Sequence, residues 1–224
     1  MARFPGAADH NIPPGSNDPS LDPRIIVVHT MVGTIESAES LFRHGPLESH
    51  FGVAMDGRVW QFRDTSRQAD AQAAGNDRCI SIETEDMGNP EQRWSPVQFE
   101  KLVELIQWAG RTHSIPMTLV RTTGDRGIGF HRQFDEWNPN RHSCPGDVRH
   151  RQLQEELLPA LQEEPAMPLT QEDLAAVRHV VREELVRAVQ RIGGRSNAVY
   201  NEQNPDVANL VMAEDVLKAL PKNP

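Results

Sequence analysis

Long apolar runs and a secretory signal are both missing from this sequence of 224 residues. No stretch reaches the roughly 18 apolar residues that indicate a transmembrane helix, so the sequence predicts no membrane insertion. The first twenty residues hold one arginine and no apolar core, unlike a signal peptide. We therefore expect a product made in the cytoplasm, which would need a separate exit route for any work outside the membrane.

Positive charge is scarce, with 23 lysines and arginines against 32 aspartates and glutamates and a net charge of −9. Proteins that bind nucleic acid rely on a positive surface, which displaces counterions from the phosphates. The composition therefore argues against a general nucleic-acid-binding protein.

Cysteine occurs only twice, at Cys79 and Cys144. Two cysteines without an export signal argue against a structural disulfide. Cys79 lies in the alternating stretch CISIET and is predicted to be a small core residue of a strand. Cys144 lies in HSCPGD, which has no apolar pattern, so it needs a different explanation.

Composition divides the chain into four parts. Residues 1–23 are rich in proline and glycine and are predicted to form an irregular surface arm. Residues 24–162 alternate strand-like and helix-like patterns, which predicts an α/β domain with a central mixed β-sheet flanked by helices. An acidic, proline-containing linker at 163–170 precedes a small helical C-terminal segment at 171–224.

The β-branched run RIIVVH, at 24–29, is typical of a buried strand. The other predicted elements are a helix at 34–45, a hairpin around Asp56-Gly57, strands at 79–86 and 115–121, a helix at 95–113, a loop at 124–146 and a closing helix at 147–162.

Three candidate metal ligands stand at strand ends or in loops. His29 ends the buried strand, His131 lies in GIGFHRQF, and Cys144 follows thirteen residues later. Two neutral imidazoles and a thiolate leave the fourth tetrahedral position open, which is the arrangement of a catalytic zinc site. The spacing alone leaves a second interpretation open, namely unrelated surface histidines and a buried thiol.

Several motifs in a fixed order make the sequence similar to a known family. They are IIVVHT, SHFGVAMDGRVWQF, AAGNDRCISIETE, GFHRQF and NRHSCPGD. Over roughly residues 24–160 they resemble the zinc-dependent type-2 N-acetylmuramoyl-L-alanine amidases, which include peptidoglycan recognition proteins and phage endolysins. The start PGSNDPSLDPRIIVVH is most like endolysins of phages that infect actinobacteria. The resemblance implies the fold of that family, one Zn²⁺ per chain and bacterial peptidoglycan as substrate, reached from the host cytoplasm by a holin-type route.

The resemblance also implies roles for individual residues. His29, His131 and Cys144 are expected to bind zinc, and Glu83 to handle the attacking water. His142 stands where the family usually has a lysine that steadies the oxyanion, and it is expected to supply a hydrogen bond, or charge at mildly acidic pH. The expected reaction is hydrolysis of the amide between N-acetylmuramic acid and L-alanine of the stem peptide. Such a reaction needs an activated water and a carboxylate that moves its proton.

Three further residues are candidate substrate contacts: His50, Trp137 and Arg141. Arg141 is one of four arginines in the segment 121–143, which could meet the carboxylates of a peptide stem. Each of the three also has a structural interpretation, as a packing residue or as part of a solvated loop. Glu83 has one too, because the period of a strand places it with Ser81 on a face that is open to water in many sheets.

Two other classes of function stay open. The chain could be a non-catalytic module that binds or recognises peptidoglycan, or an assembly component in which the histidines and cysteine form a structural metal clip or no site. Non-cutting recognition proteins typically lack the cysteine ligand, so Cys144 favours the enzyme.

The C-terminal segment contains two amphipathic stretches, TQEDLAAVRHVVREELVRAVQRIGG and PDVANLVMAEDVLKAL. So small a helix pair buries too little surface to be stable alone, so we expect it to pack on the first domain or on another copy in a homo-oligomer. Its only aromatic residue is Tyr200, which gives little basis for stacking on sugars.

Shortening the chain to end at Glu164 tests the predicted self-association. If the C-terminal helices join copies, the full chain has a larger mass in sedimentation equilibrium than the shortened chain, beyond the mass removed. The same stoichiometry for both chains would count against self-association.

Overall fold

The structure, a computed structural model, describes residues 2–12, 19–89, 91–163, 179 and 181. The chain divides into two units, Met1–Ala166 and Met167–Pro224, and the elements below all lie in the first. The predicted linker at 163–170 and helical segment at 171–224 lie almost entirely outside the described residues. Among the described helices, none has the length and apolar character needed to cross a bilayer.

The centre of the first unit is a six-stranded β-sheet. Its strands are β1 (Ala8–Asp9), β2 (Ile25–Met31), β3 (Phe51–Val53), β4 (Val59–Gln61), β5 (Cys79–Glu85) and β6 (Gly127–Phe130). They lie in the order β1–β4–β3–β5–β2–β6. The β3–β4 hairpin is antiparallel and every other neighbouring pair is parallel, which confirms the predicted mixed sheet.

The middle strands β2 and β5 are buried on both faces. The only residue of β2 that is partly exposed is Thr30, and the only one of β5 is Glu83. Parallel strands covered on both sides are built from apolar runs, which explains IIVV before His29. The interpretation that places Glu83 on a wet face is wrong, because Ser81 and Glu85 on that face are only 0% and 5% exposed.

The three helical regions that the sequence predicts within residues 24–162 all form. The helices are α1 (Ile35–His44), α2 (Pro96–His113), α3 (Asp147–Gln152) and α4 (Leu158–Gln162), with a π-helical turn at Leu153–Leu157 between the last two. Thr34 caps α1, since its side chain accepts from the Ser37 N–H while the Ser37 hydroxyl accepts from the Thr34 N–H. Ser95 caps α2 by accepting from the Gln98 N–H.

Helices cover both faces of the sheet, so the unit has three layers. Ile26 and Val28 of β2 pack with α2 and with leucines of the 153–161 region. The alternate residues Ile25 and Val27 face the other side, where they pack with Cys79. Cys79 is thus the buried strand residue that the sequence predicts, and its thiol is free.

The structure differs from the sequence prediction around β6. Residues 115–121 were expected to form a strand but make only a bridge from Leu119 to Ile128, whereas β6 lies inside the predicted loop. The glycines of β6 are the reason: a Cβ at Gly127 would stand 2.2 Å from the Thr118 carbonyl oxygen. The glycines of β6 allow a neighbouring segment to approach closely, and they do not indicate a loop.

The described part of the predicted N-terminal arm, residues 2–12 and 19–23, is packed more closely than a surface arm requires. Phe4, Ile12 and Leu21 are each buried, and β1 adds an edge strand beside β4. The apolar side chains of this segment therefore contribute to the core even though most of its backbone is irregular.

Candidate metal centre and active site

Three adjacent parallel strands, β5, β2 and β6, bring their carboxyl ends to one edge of the sheet. Glu83 of β5 pairs in register with His29 of β2. Val28 pairs with Phe130 of β6, so His131, the next residue, follows at the same edge. Ligands of α/β sheets bind outside the carboxyl ends of the strands, and this edge therefore holds the candidate site.

The three predicted metal ligands converge at this edge. His29, His131 and Cys144 each offer one ligand atom, and these atoms all lie within 4.8 Å of one another. The two imidazole rings have centroids 4.6 Å apart. Two ligand atoms on one tetrahedral zinc stand about 3.5 Å apart, given bond lengths of about 2.0–2.3 Å. The donor set therefore matches zinc in kind, and its spacing needs only a small contraction.

The surroundings of these atoms also fit a metal. His29 Nε2 is buried and has no hydrogen-bond partner among the described residues. Burial, and then the neighbouring His131, holds the pKa of His29 well below its usual range, which keeps the ring in the neutral form that metals bind. Burial and the nearby Glu83 carboxylate raise the pKa of the Cys144 thiol, whereas the backbone N–H of Thr30, which points at Sγ from 3.2 Å, opposes that rise. A cation held by the two histidines would favour the thiolate further.

Glu83 stands beside the ligands with one carboxylate oxygen uncommitted. Its Oε1 lies 3.7 Å from His29 Nδ1, while its Oε2 is buried and has no hydrogen-bond partner in the described part of the chain. Burial, reinforced by the nearby Asp86 carboxylate, raises the pKa of Glu83 to about 8. A carboxylate that exchanges its proton near neutral pH is suited to general acid–base work.

The two acidic residues that follow in the sequence are occupied elsewhere. Glu85 accepts the backbone N–H groups of Ile35, at 3.1 Å, and Met55, at 2.7 Å. Asp86 accepts those of Gly33, at 3.0 Å, and Gly88, at 2.8 Å. Both carboxylates therefore tie loops to the end of β5, which distinguishes them from Glu83.

His142 lies at the exposed rim of the site. Its ring centroid is 6.3 Å from that of His131. The buried side-chain amide of Asn138 hydrogen-bonds both backbone groups of His142. Its Oδ1 accepts the His142 N–H at 2.8 Å, and its Nδ2 donates to the His142 carbonyl at 2.7 Å. The loop is thus fixed at His142 while the imidazole remains open to solvent and substrate.

Two of the predicted substrate contacts need correction. His50 is fully buried, its Nδ1 accepts the Ser81 N–H at 3.0 Å, and its Nε2 lies 2.9 Å from the Arg67 carbonyl, to which it donates. Trp137 is only 1% exposed and packs with Val27 in the core beside β2. Neither side chain can reach a substrate, because the fold encloses both.

Arg141, the third predicted contact, is exposed on the same loop as His142. Its backbone has a positive φ of 54°, at the end of a turn closed by its N–H and the Asn138 carbonyl. Its position keeps it a candidate contact for substrate.

Sequence reasoning missed the polar groups behind the site, above all Arg149. The leucines at 153, 157 and 161 form a buried stripe at intervals of four residues. Counting back by four reaches Arg149, so the sequence itself places an arginine on the apolar, buried face of this helix. Four residues of an α-helix rotate about 40° beyond a full turn, so residues spaced by four would drift around the helix. The wider π-helical turn at Leu153–Leu157 corrects that drift and keeps these side chains on one face.

Fold and site together define a class, an α/β domain with a mixed sheet and a candidate metal centre at its strand ends. The particular family follows from the sequence: the profile described as N-acetylmuramoyl-L-alanine amidase matches residues 19–147, more than half of the chain. The chain belongs to this family. Among curated proteins, none matches the sequence.

Solved structures share the fold. The structure of PlyL aligns with a TM-score of 0.54 and 18% identity, over 71% of this chain and 99% of its own. The N-acetylmuramoyl-L-alanine amidase LysC from Clostridium intestinale URNW aligns with a TM-score of 0.50 and 17% identity, over 67% of this chain and 97% of its own. At 17–18% identity, the similarity between these structures and this chain establishes a shared fold alone.

The buried His50 predicts a pH dependence of stability. Burial lowers its pKa to about 4, whereas a histidine in the unfolded chain takes up a proton near pH 6.5. The unfolded state therefore binds the extra proton between these values. The stability linked to His50 is complete above about pH 6.5 and is lost as the pH falls towards 4, by up to about 3 kcal/mol.

Urea unfolding of wild type and His50→Gln, measured from neutral pH down to pH 4, checks this. The variant is expected to be less stable at neutral pH and to lose less stability on acidification. His44→Gln, at an exposed helix end, is the matched control. Parallel pH profiles for wild type and His50→Gln would contradict the assignment.

Proposed function

We propose that this peptidoglycan amidase is zinc-dependent, that it cleaves the amide between N-acetylmuramic acid and L-alanine of the stem peptide, and that it serves as a phage endolysin in host lysis. The observation that carries the zinc proposal is the convergence of His29, His131 and Cys144 beside the uncommitted oxygen of Glu83. The match to the amidase family supports the choice of bond.

His29, His131 and Cys144 would hold the metal through two neutral imidazoles and one thiolate. Bound zinc supplies a water that is acidified towards a pKa of about 7 and a Lewis acid for the substrate carbonyl. The remaining steps fall to the side chains around it.

Glu83 moves the proton in this scheme. Its Oε2 accepts a proton from the attacking water as the new C–O bond forms at the lactyl carbonyl carbon. It then gives that proton to the nitrogen of L-alanine as the C–N bond breaks. The products are a lactyl carboxylic acid on the glycan and a stem peptide with a free amino terminus, so one water is consumed.

Two opposing effects prepare Glu83 for both transfers. Burial favours its protonated form, which is needed when it donates to the leaving nitrogen. A cation held by the neighbouring ligands favours the ionised form, which is needed when it accepts from water. A carboxylate balanced in this way can exchange its proton in both directions near neutral pH.

His142 is proposed to face the oxyanion that develops on the carbonyl oxygen. It is exposed at the rim, and Asn138 fixes its backbone, so the ring can donate a hydrogen bond without a loop rearrangement. Exposed Arg141 on the same loop is proposed to meet a carboxylate of the stem peptide.

The proposed role in lysis rests on the sequence resemblance to phage endolysins. We accordingly propose synthesis in the host cytoplasm and access to the wall by a holin-type route. A pure binding module is less well supported, because binding requires neither the thiol ligand nor an unpaired buried carboxylate oxygen beside it.

Digestion of purified peptidoglycan tests the chemistry. Wild type is expected to release stem peptides that begin with L-alanine, identified by mass, and to stop when zinc is chelated. Glu83→Gln keeps the shape of the side chain but cannot carry the proton, so it should lose about 10²–10⁴-fold in rate. Glu91→Gln, at an exposed site, is the matched control and should retain activity.

Two results would contradict the proposal. Cleavage that survives thorough chelation would exclude zinc-activated water. Products with new reducing ends, or peptides that begin at another residue, would mean that a different bond is cut.

Replacing His142 by lysine tests the oxyanion role. A lysine ammonium would offer the oxyanion a full positive charge, whereas an alanine offers no donor. His142→Lys should therefore retain or raise kcat, and His142→Ala should lower kcat by about 10²-fold with little change in KM. A His142→Ala variant with the wild-type kcat would contradict the oxyanion role.

A further inference from the structure

Arg149 is a cation buried behind the candidate metal centre. Its side chain is fully enclosed, at 0% exposure, on the inner face of α3. Burying a charge costs free energy unless polar groups replace the lost water. Most of the groups that do so here lie at the ends of the two strands that carry His29 and Glu83.

The guanidinium is satisfied in three directions. Nη1 donates to Thr30 Oγ1 at 2.7 Å, and to the hydroxyl and carbonyl oxygens of Thr84 at 2.9 Å each. Nη2 donates to the Glu85 carbonyl at 2.6 Å, and Nε to the Gln92 carbonyl at 2.8 Å. A lysine could not reproduce this pattern, because its ammonium is a single point with three donors and lacks the planar fork.

Each of the two threonines connects Arg149 to a candidate metal ligand. The Thr84 hydroxyl, while it accepts from Arg149, donates to the backbone carbonyl of His29 at 2.6 Å. Thr30, whose hydroxyl also accepts from Arg149, directs its backbone N–H at Cys144 Sγ from 3.2 Å. Two chains of hydrogen bonds therefore run from one guanidinium to two ligands on different segments.

The charges of the surrounding groups also favour a cation at the position of Arg149. The acidic groups around Arg149 are Asp86, Cys144, Glu83 and Glu85, and all of them favour its protonated form. Burial opposes them and lowers the pKa of Arg149 to about 10, so it remains a cation at neutral pH. Arg149 is thus a fixed positive charge within a cluster of acidic groups.

We propose that Arg149 is a positioning residue of the metal centre: through Thr84 and Thr30 it fixes the His29 backbone and the Cys144 thiolate in the geometry that binds zinc. This inference rests on the proposed zinc-dependent function. It extends that proposal to a residue that touches neither metal nor substrate.

Zinc affinity of the full chain tests the role directly. The readouts are the dissociation constant for Zn²⁺, from competition with a chromophoric chelator, and the thiolate-to-metal absorption band of the Co²⁺-loaded protein. Arg149→Lys keeps the charge and loses the fork. Thr30→Val removes the hydroxyl, which accepts from Arg149 and lies within 3.3 Å of Asp86 Oδ2 and the Thr84 carbonyl oxygen. It leaves the N–H bond to Cys144 possible, and Thr30→Ser restores the hydroxyl.

Arg149→Lys and Thr30→Val are expected to bind zinc about 10–100-fold more weakly and to show an altered cobalt band. Thr30→Ser should return both readouts towards wild type. Gln152→Leu is the matched control, because Gln152 is buried on the same helix and bonds the Trp94 backbone rather than the site. It should lower the free energy of unfolding and leave zinc affinity unchanged.

Each outcome decides between the alternatives. Wild-type affinity and cobalt band in both Arg149→Lys and Thr30→Val, or losses no larger than in Gln152→Leu, would overturn the positioning role while leaving the zinc proposal intact. If Arg149→Lys fails to fold, the Thr30→Val and Thr30→Ser pair gives the answer. A wild-type chain that binds no zinc would overturn the proposed function, and this inference with it.

Discussion

The parallel pairing of β2 with β5 is the constraint on which the rest of the structure depends. It sets His29 opposite Glu83 at the carboxyl ends of two central strands. Since side chains alternate along a strand, a slip of one residue would turn either group to the opposite face of the sheet. The apolar residues on both faces of these strands resist that slip, because each has a place in one of the two cores. The strand register that packs both cores is therefore the same register that places His29 beside Glu83.

The site concentrates charge that the fold must balance. Glu83, Glu85 and Asp86 lie close together at the end of β5, and the latter two are neutralised locally by backbone N–H groups of neighbouring loops. Arg149 adds a buried positive charge on the other side of the same strand end. Of these three carboxylates, only Glu83 has a buried oxygen without a hydrogen-bond partner among the described residues, which costs stability but leaves that oxygen free to exchange a proton. The hydrogen bonds of Glu85, Asp86 and Arg149 keep the end of β5 ordered around Glu83.

Loop 134–146 shows how structural and chemical residues alternate along one segment. Trp137 and Asn138 are buried, and they anchor the loop by packing and by two hydrogen bonds to the His142 backbone. His142 and Arg141 are exposed. From the sequence, the tryptophan of this loop was expected to contact substrate, whereas the structure buries it. An aromatic residue near metal ligands is compatible with either position, and only the space beside Val27 decides that it is buried.

The sequence by itself determined the alternation of strands and helices, the capped ends of α1 and α2 and, through an ordered set of motifs, the family and the candidate ligands. These are local signals, since propensity, periodicity and capping act over a few residues. The tertiary structure alone decided which other polar residues lie at the site. His50, a candidate substrate contact in the sequence, is enclosed with both its nitrogens hydrogen-bonded, and Arg149, which the sequence analysis did not single out, is buried behind the candidate ligands. The register of β2, β5 and β6 and the direction of α3 bring together groups that are more than a hundred residues apart, such as Thr30 and Cys144. No local pattern encodes that distance, because it results from packing the whole sheet at once.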